Sequence, residues 1–349
     1  MKQFAMIVLT MAVMLPAAWG ASISRDPYIG AILLDSNTGD VLMEEGADRP
    51  GYPASMLKLV DLFIVLDRVE QGSVQLSDVV QITQESASIG GSQVYLDSRE
   101  QFTVEELLYA LMIQSANDAA MALAIHIGGT REGFVRMMNE KAKELGLSPI
   151  TQFHSPHGLP PGKGQRPDMT TSRDFAKLCR ALILAHPETL KYTSETFRVF
   201  REDPLFEMRT HNRLLSKVSG CDGLKTGYFR DAGFSIAATA QRDGARVIAV
   251  VLGSRDRKVR DAKATELLSR GLLDASRVAP PPPPPVPDPA IPVVTESDDS
   301  AAAEEMLVVE EEPVSAGHSW LKNLGLIVLG AFIAAIIGMV IQRRLFLSR

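Results

Sequence analysis

Cysteine is almost missing from this chain: Cys179 and Cys221 are the two in 349 residues. That excludes a disulfide-stapled scaffold and any Cys-based zinc site, leaving either one disulfide or two free thiols. Histidine is also sparse. The six are scattered, no H-E-x-x-H occurs, and His154-Ser155-Pro156-His157 has a proline where a metal-binding helix would need regular spacing. No internal repeat is visible, which excludes solenoids and propellers. Excess charge is absent from the main part of the chain. The formal net charge is −6, but nine acidic side chains and no Lys or Arg fall within residues 280–319, so residues 21–279 sum to only −2. A nearly neutral domain offers no electrostatic footprint for nucleic acid. What is present is 46% hydrophobic and 22% charged, the balance of a globular protein with a real core.

The ends indicate a compartment. Lys2 precedes an apolar run from Phe4 to Ala18, and Ala18-Trp19-Gly20 places small residues where a signal peptidase cuts. Residues 1–20 therefore read as a secretory signal; the alternative is an uncleaved anchor, against which Pro16 counts. Leu324 to Ile341 is uncharged, follows Trp320, and is closed by Arg343 and Arg344, as expected of a membrane span within 320–342 with a cytoplasmic tail, 343–349. Gly330, Ala334 and Gly338 put small side chains on one face of that span. This is either ordinary membrane-helix composition or a surface for a homodimer. Before the span, nine prolines within residues 280–292 predict an extended rod of roughly 40 Å, and residues 293–319 are too acidic and polar to fold. The linker, 279–319, would hold a domain at 21–278 away from the extracytoplasmic face of the membrane.

Within that domain, Ala31–Asp35 and Asp40–Met43 read as strands around Ser36-Asn37-Thr38-Gly39. Met56–Val69 is apolar enough for a buried helix. Thr103 with Glu106 forms a capping box opening a helix over Val104–Ile113, followed by helices at Asp118–Ile127, Phe134–Leu145 and Ser172–Leu184. Leu224–Phe229, Phe234–Ala240 and Arg246–Leu252 are strand-like, the last two joined through Asp243-Gly244, and Asp256–Leu273 closes with a helix. Strands at both ends with helices between them predict an α+β fold, with one antiparallel sheet assembled from the two termini and a helical lobe inserted.

Three short motifs carry the chemistry. In Ser55-Met56-Leu57-Lys58, positions i and i+3 share a helix face, so the amine reaches the hydroxyl and can serve as its base once desolvation depresses the lysine pKa. So loose a pattern recurs by accident: Ser319-Trp320-Leu321-Lys322 is a second copy. Pro53-Ala54 leading into an apolar helix places Ser55 at a helix N-terminus, where negative charge is favoured. Ser115-Ala116-Asn117, the only S-x-N, falls between two helices, where it either relays a proton and orients a carbonyl or merely ends one helix and caps the next. Lys225-Thr226-Gly227 lies in a strand: glycine permits close backbone approach, and Lys and Thr offer a charge and a hydroxyl to a carboxylate.

In the order S-x-x-K, S-x-N, K-T-G these motifs resemble the penicillin-recognising serine enzymes. Thr103–Leu108, Ser115–Ala120, Phe134–Asn139, His157-Gly158-Leu159 and Asp222–Tyr228 are similar to the low-molecular-weight D-alanyl-D-alanine carboxypeptidases, over roughly residues 27–273. The resemblance implies a β-lactamase-like fold with the three motifs in a cleft between a sheet lobe and a helical lobe. It implies that Ser55 is acylated with Lys58 as base, that Ser115 passes the proton to the leaving D-alanine, and that Asn117 holds Lys58 and the substrate backbone. Lys225 and Thr226 would take the terminal carboxylate, and the N–H groups of Ser55 and of Tyr228, after Gly227, would form the oxyanion hole. Ser88–Ser92 resembles the loop bordering the cleft. The implied partners are peptidoglycan stem peptides, β-lactam antibiotics and, through the C-terminal span, the cytoplasmic membrane; no cofactor or metal is implied.

The chain departs from that pattern in two places. The linker and span stand where many relatives carry a β-rich domain and an amphipathic anchor, and Tyr228-Phe229-Arg230 follows the K-T-G where smaller or hydroxylated residues are usual. A β-lactamase shares the motifs, but its deacylating Glu is missing, since no Glu occurs from residue 145 to 187. A D,D-endopeptidase on cross-links and a non-catalytic peptide-binding module are the remaining alternatives.

Overall fold

The computed structural model describes residues 26–278, all within the unit Met1–Pro283 that chain contacts separate from the remainder. The expected signal segment, the whole linker with its proline rod, the membrane span with its small-residue face, and the cytoplasmic tail lie outside the described residues. Among the described residues no helix is long and apolar enough to cross a membrane.

The chain opens with β1 (Gly30–Asp35) and β2 (Val41–Glu45). Between them the Asp35 carboxylate accepts the N–H groups of Asn37 and Thr38 at 2.7 and 3.0 Å, and Gly39 takes a φ of +84° that closes the turn. A single 3-10 turn, Ala54–Leu57, then runs into α1 (Lys58–Glu70), whose residues from Lys58 to Leu66 are all buried. A helix buried on every side along most of its length is a central one, and α1 runs through the core of the domain. Next come β3 (Val79–Gln81), α2 (Gln84–Ala87) and β4 (Gln101–Thr103), then α3 (Val104–Tyr109). The predicted capping box opens α3: Glu106 N donates to Thr103 Oγ1 at 3.2 Å and Thr103 N donates to Glu106 Oε2 at 2.7 Å. The helix widens into a π turn, Ala110–Gln114, before α4 (Asn117–Gly128) and α5 (Arg131–Glu144). After α6 (Ser172–Ala185) and α7 (Thr189–Thr193), β5 (Phe197–Glu202) and β6 (Leu205–Arg209) form a separate hairpin. The domain finishes with β7 (Cys221–Phe229), β8 (Gly233–Arg242), β9 (Ala245–Ser254) and α8 (Arg257–Val278).

The main sheet has the order β2-β1-β9-β8-β7 and its pairs are antiparallel, so the N-terminal hairpin joins the C-terminal meander through β1 and β9. This is the sheet expected from the two ends of the domain. Asp243 and Gly244, with φ of +51° and +80°, make the tight turn between β8 and β9. One face packs on the helical core around Phe63, Leu107, Leu123 and Phe175; the other packs Leu33, Val247 and Val251 against Leu267 and Leu268 of α8. Burying each such side chain contributes roughly 1.5–3 kcal/mol. The two cysteines are free thiols: Cys179 is buried on α6 and Cys221 half-buried at the start of β7, with burial pushing the latter up to about 11. The disulfide alternative is thereby removed.

Candidate active site

A cleft of about 420 Å³ opens where β7, the N-terminal end of α1 and the helical lobe meet. Six of the eight residues singled out in the sequence line it: Ser55, Ser115, Asn117, Thr226, Gly227 and Tyr228. The other two, Lys58 and Lys225, stand just behind, 0% and 2% exposed.

Ser55 sits in the 3-10 turn, displayed by Ala54, whose φ of +48° is a strained value for a residue with a Cβ. The i, i+3 spacing performs as expected: Lys58 Nζ lies 3.1 Å from Ser55 Oγ. Its other contacts are Asn117 Oδ1 at 2.8 Å and the carbonyl oxygen of His157 at 2.7 Å. These two oxygens can only accept, so each takes one N–H of the amine, and its remaining position faces Ser55 Oγ, as a donor while the amine is charged and as a lone pair for the hydroxyl proton once it is neutral. Burial brings the Lys58 pKa down to about 8, while Asp61, Asp168 and Asp118 pull in the opposite direction. Asp61, one turn further along α1, is fully buried, and neither carboxylate oxygen has a hydrogen-bond partner among the described residues. Burial raises its pKa well above the usual carboxylate range, against the opposing pull of Lys58.

Asn117 does not cap α4; the N-cap is Ala116. Its amide instead donates to Gly90 O at 2.7 Å while its backbone N–H donates to Ser92 O at 2.7 Å, which ties the loop at 88–92 to the cleft. A Cβ at Gly91 would stand 2.5 Å from the Asn117 amide nitrogen, so that loop can approach only without a side chain there. Ser115 ends the π turn in the left-handed region, φ +60°, which turns its buried side chain toward the cavity.

β7 is an edge of the five-stranded sheet, and among the described residues no strand pairs with its outer side. A Cβ at Gly227 would fall 2.4 Å from Pro53 O and 3.1 Å from Met56 N, so this glycine is what lets the strand lie against the turn carrying Ser55. Gly227→Ala is expected to separate the two, costing about 1–3 kcal/mol of stability and most of the reactivity of Ser55; thermal melts alongside labelling by a serine-reactive lactam check both. Burial, aided by Lys58 and Arg260, drives the Lys225 pKa well below that of a free lysine, and its Nζ donates to Thr226 O at 3.1 Å.

Sequence reasoning missed the His157 carbonyl, because a backbone acceptor leaves no side-chain signature. His157 itself is brought down to about 4 by burial and by Lys58, and its Nδ1 accepts the Leu159 N–H at 3.1 Å, as a neutral ring does. Also missed were His211, Arg213, Arg257 and Arg260 on the cleft wall, where isolated basic residues carried no motif. The one cluster of metal-type donors among the described residues, Asp67, Glu70 and His186, lies outside the cleft lining. Lys141 Nζ and His186 Nε2 occupy the Asp67 carboxylate at 2.7 and 2.8 Å, making it an ion-pair network.

The D-alanyl-D-alanine carboxypeptidase family profile matches residues 28–256. D-alanyl-D-alanine carboxypeptidase DacF of Bacillus subtilis is 36% identical over 240 residues, 68% of this chain and 60% of that protein. DacC of Escherichia coli is 35% identical over 260 residues, 71% of this chain and 62% of its own length. The chain thus spans about 60% of the length of these curated relatives. Among solved structures, penicillin-binding protein D2 of Listeria monocytogenes in its ampicillin-bound form matches at a TM-score of 0.62 and 31% identity, over 70% of this chain and 97% of that one. DacD of Francisella tularensis matches at 0.65 and 27%, over 77% and 73%.

Proposed function

Because the chain belongs to the D-alanyl-D-alanine carboxypeptidase family, we propose that its cleft removes the terminal D-alanine from peptidoglycan stem peptides through an acyl-enzyme at Ser55. The observation that carries this reading is the coordination of Lys58: two carbonyl oxygens fix the buried amine and aim its remaining valence at Ser55. Lys58 takes the hydroxyl proton as Ser55 Oγ bonds to the scissile carbonyl carbon. Ser115 delivers a proton to the departing D-alanine nitrogen as the C–N bond breaks, and water then attacks the ester and returns Ser55 with its proton. The N–H groups of Ser55 and Tyr228 receive the oxyanion, an interaction worth about 2.7–4 kcal/mol per donor in sites of this type.

The terminal carboxylate goes to Thr226 and to Lys225. Burial, with Lys58 and Arg260 nearby, lowers the Lys225 pKa well below that of a free lysine; an arriving carboxylate raises it, so binding of the anion and protonation of the amine reinforce each other. A β-lactam, which carries a carboxylate beside a strained amide, is accepted on the same terms. The ampicillin-bound relative supports this.

The domain, 21–278, works outside the cytoplasm, delivered by the signal at 1–20 and held by the span at 320–342 through the linker at 279–319. The carboxypeptidase reading is tested by incubating the protein with a pentapeptide ending in two D-alanines. Free D-alanine is expected, together with a shortened tetrapeptide. Acylation by penicillin without any D-alanine release would overturn the substrate assignment while leaving the nucleophile in place.

A further inference from the structure

We propose that Tyr228 is a specificity-determining residue whose ring closes the carboxylate end of the cleft and restricts the leaving residue to a small one. The proposal rests on the reading of the site as a D-alanyl-D-alanine peptidase and extends it to the choice of leaving group.

Side chains alternate along a strand, so Thr226 and Tyr228 stand on one side of β7 while Gly227 faces the other, toward Pro53. The hydroxyl that takes the terminal carboxylate and the Tyr228 ring therefore border the same group, the residue that departs. Tyr228 is 55% exposed on the cleft wall. It stacks on Phe234, its partner across the β7–β8 register, with centroids 4.2 Å apart and planes at 22°. On the opposite side of the strand Phe229 meets Tyr52 at 5.7 Å, fixing the end of β7 from behind. Tyr228 is thus a rigid wall rather than a mobile flap, with few rotamers to lose on contact.

The same end of the cleft is cationic. Arg260 donates to Ser235 O at 3.2 Å, next to Phe234, and lies near enough to Lys225 to depress its ionisation. The leaving residue is held between positive charge, which demands its carboxylate, and an aromatic face, which bounds its side chain. A methyl group fits against the ring. A branched or aromatic side chain, or the peptide attached to the leaving amine of a cross-link, must displace it. This wall favours the carboxypeptidase reaction over cleavage of cross-links.

The test compares kcat/KM for pentapeptides ending in D-Ala-D-Ala and in D-Ala-D-Leu, in the wild type, Tyr228→Ala and Tyr228→Phe. Tyr228→Ala keeps the backbone N–H and removes the wall; the ratio of D-leucine to D-alanine release is expected to rise roughly tenfold or more, and Tyr228→Phe to keep the wild-type ratio. Phe234→Leu, which removes the ring's support, must move the ratio in the same direction. An unchanged ratio in Tyr228→Ala, with penicillin acylation intact, overturns the inference and leaves the peptidase reading standing. A wild type that neither binds penicillin covalently nor releases D-alanine overturns both.

Discussion

Covalent labelling by penicillin is expected to vanish in Ser55→Ala and to survive in Ser319→Ala. The chain contains two S-x-x-K tetrapeptides, and composition cannot choose between them. Surroundings can. Ser55 faces, at 3.1 Å, a lysine whose pKa burial has brought down to about 8, in a cleft lined by Thr226 with Lys225 buried just behind it. Ser319 follows an acidic, apolar-poor stretch and adjoins the expected membrane span, where no S-x-N or K-T-G is available to complete a site. Removing a nucleophile from a cooperating constellation typically abolishes nearly the whole rate, on the order of 10⁶ where it has been measured, so Ser55→Ala should show no adduct by intact mass. An adduct of unchanged stoichiometry in that variant would sink the assignment of the nucleophile.

The parts of the site that were legible in the sequence are those whose chemistry resides in side chains at fixed spacing. Ser55 and Lys58 are placed by the helical period, and the capping box at Thr103 and Glu106 starts α3 as written. Asp243-Gly244 marks its hairpin because both residues tolerate positive φ. The fold was equally legible where apolar period and length agree, as in α6 and β7–β9. Legibility failed where the decisive atom belongs to the main chain or the partner is remote. The His157 carbonyl holds Lys58 across 99 positions of sequence, and nothing in a histidine announces that its backbone oxygen is the ligand. The helix predicted over Val104–Ile113 ends early in a π turn, which turns Ser115 into the cleft.

The hairpin of β5 and β6 was missed for another reason. Its register slips between Val199 and Arg201, so the alternation that signals a strand is broken in the middle. Asn117 shows how one residue type supports two readings. An asparagine between helices is a good cap, yet here its side chain serves Lys58 and Gly90, and the capping position falls to Ala116, which has no polar side chain.

Acylation should rise with pH through about 8 and then level off, and Lys58→Arg should eliminate it. The base must be the free amine, and its pKa is displaced downward to about 8, chiefly because burial penalises the ammonium. Below that value the free-amine fraction falls tenfold per pH unit, so the second-order rate of penicillin acylation should lose about a factor of ten between pH 7 and pH 6. A guanidinium stays charged throughout this range and cannot accept the Ser55 proton. It would also carry more donors than the Asn117 and His157 oxygens can satisfy within a fully buried site. Asp61→Asn separates the causes. If burial already holds Asp61 as the neutral acid, its amide isostere leaves the midpoint of the profile where it was. An ionised Asp61 would instead be raising the lysine, and its removal would carry the midpoint to lower pH. Measured acylation rates from pH 5.5 to pH 9.5 in the three proteins decide the matter: a flat wild-type profile, or an active Lys58→Arg variant, would show that another group removes the proton.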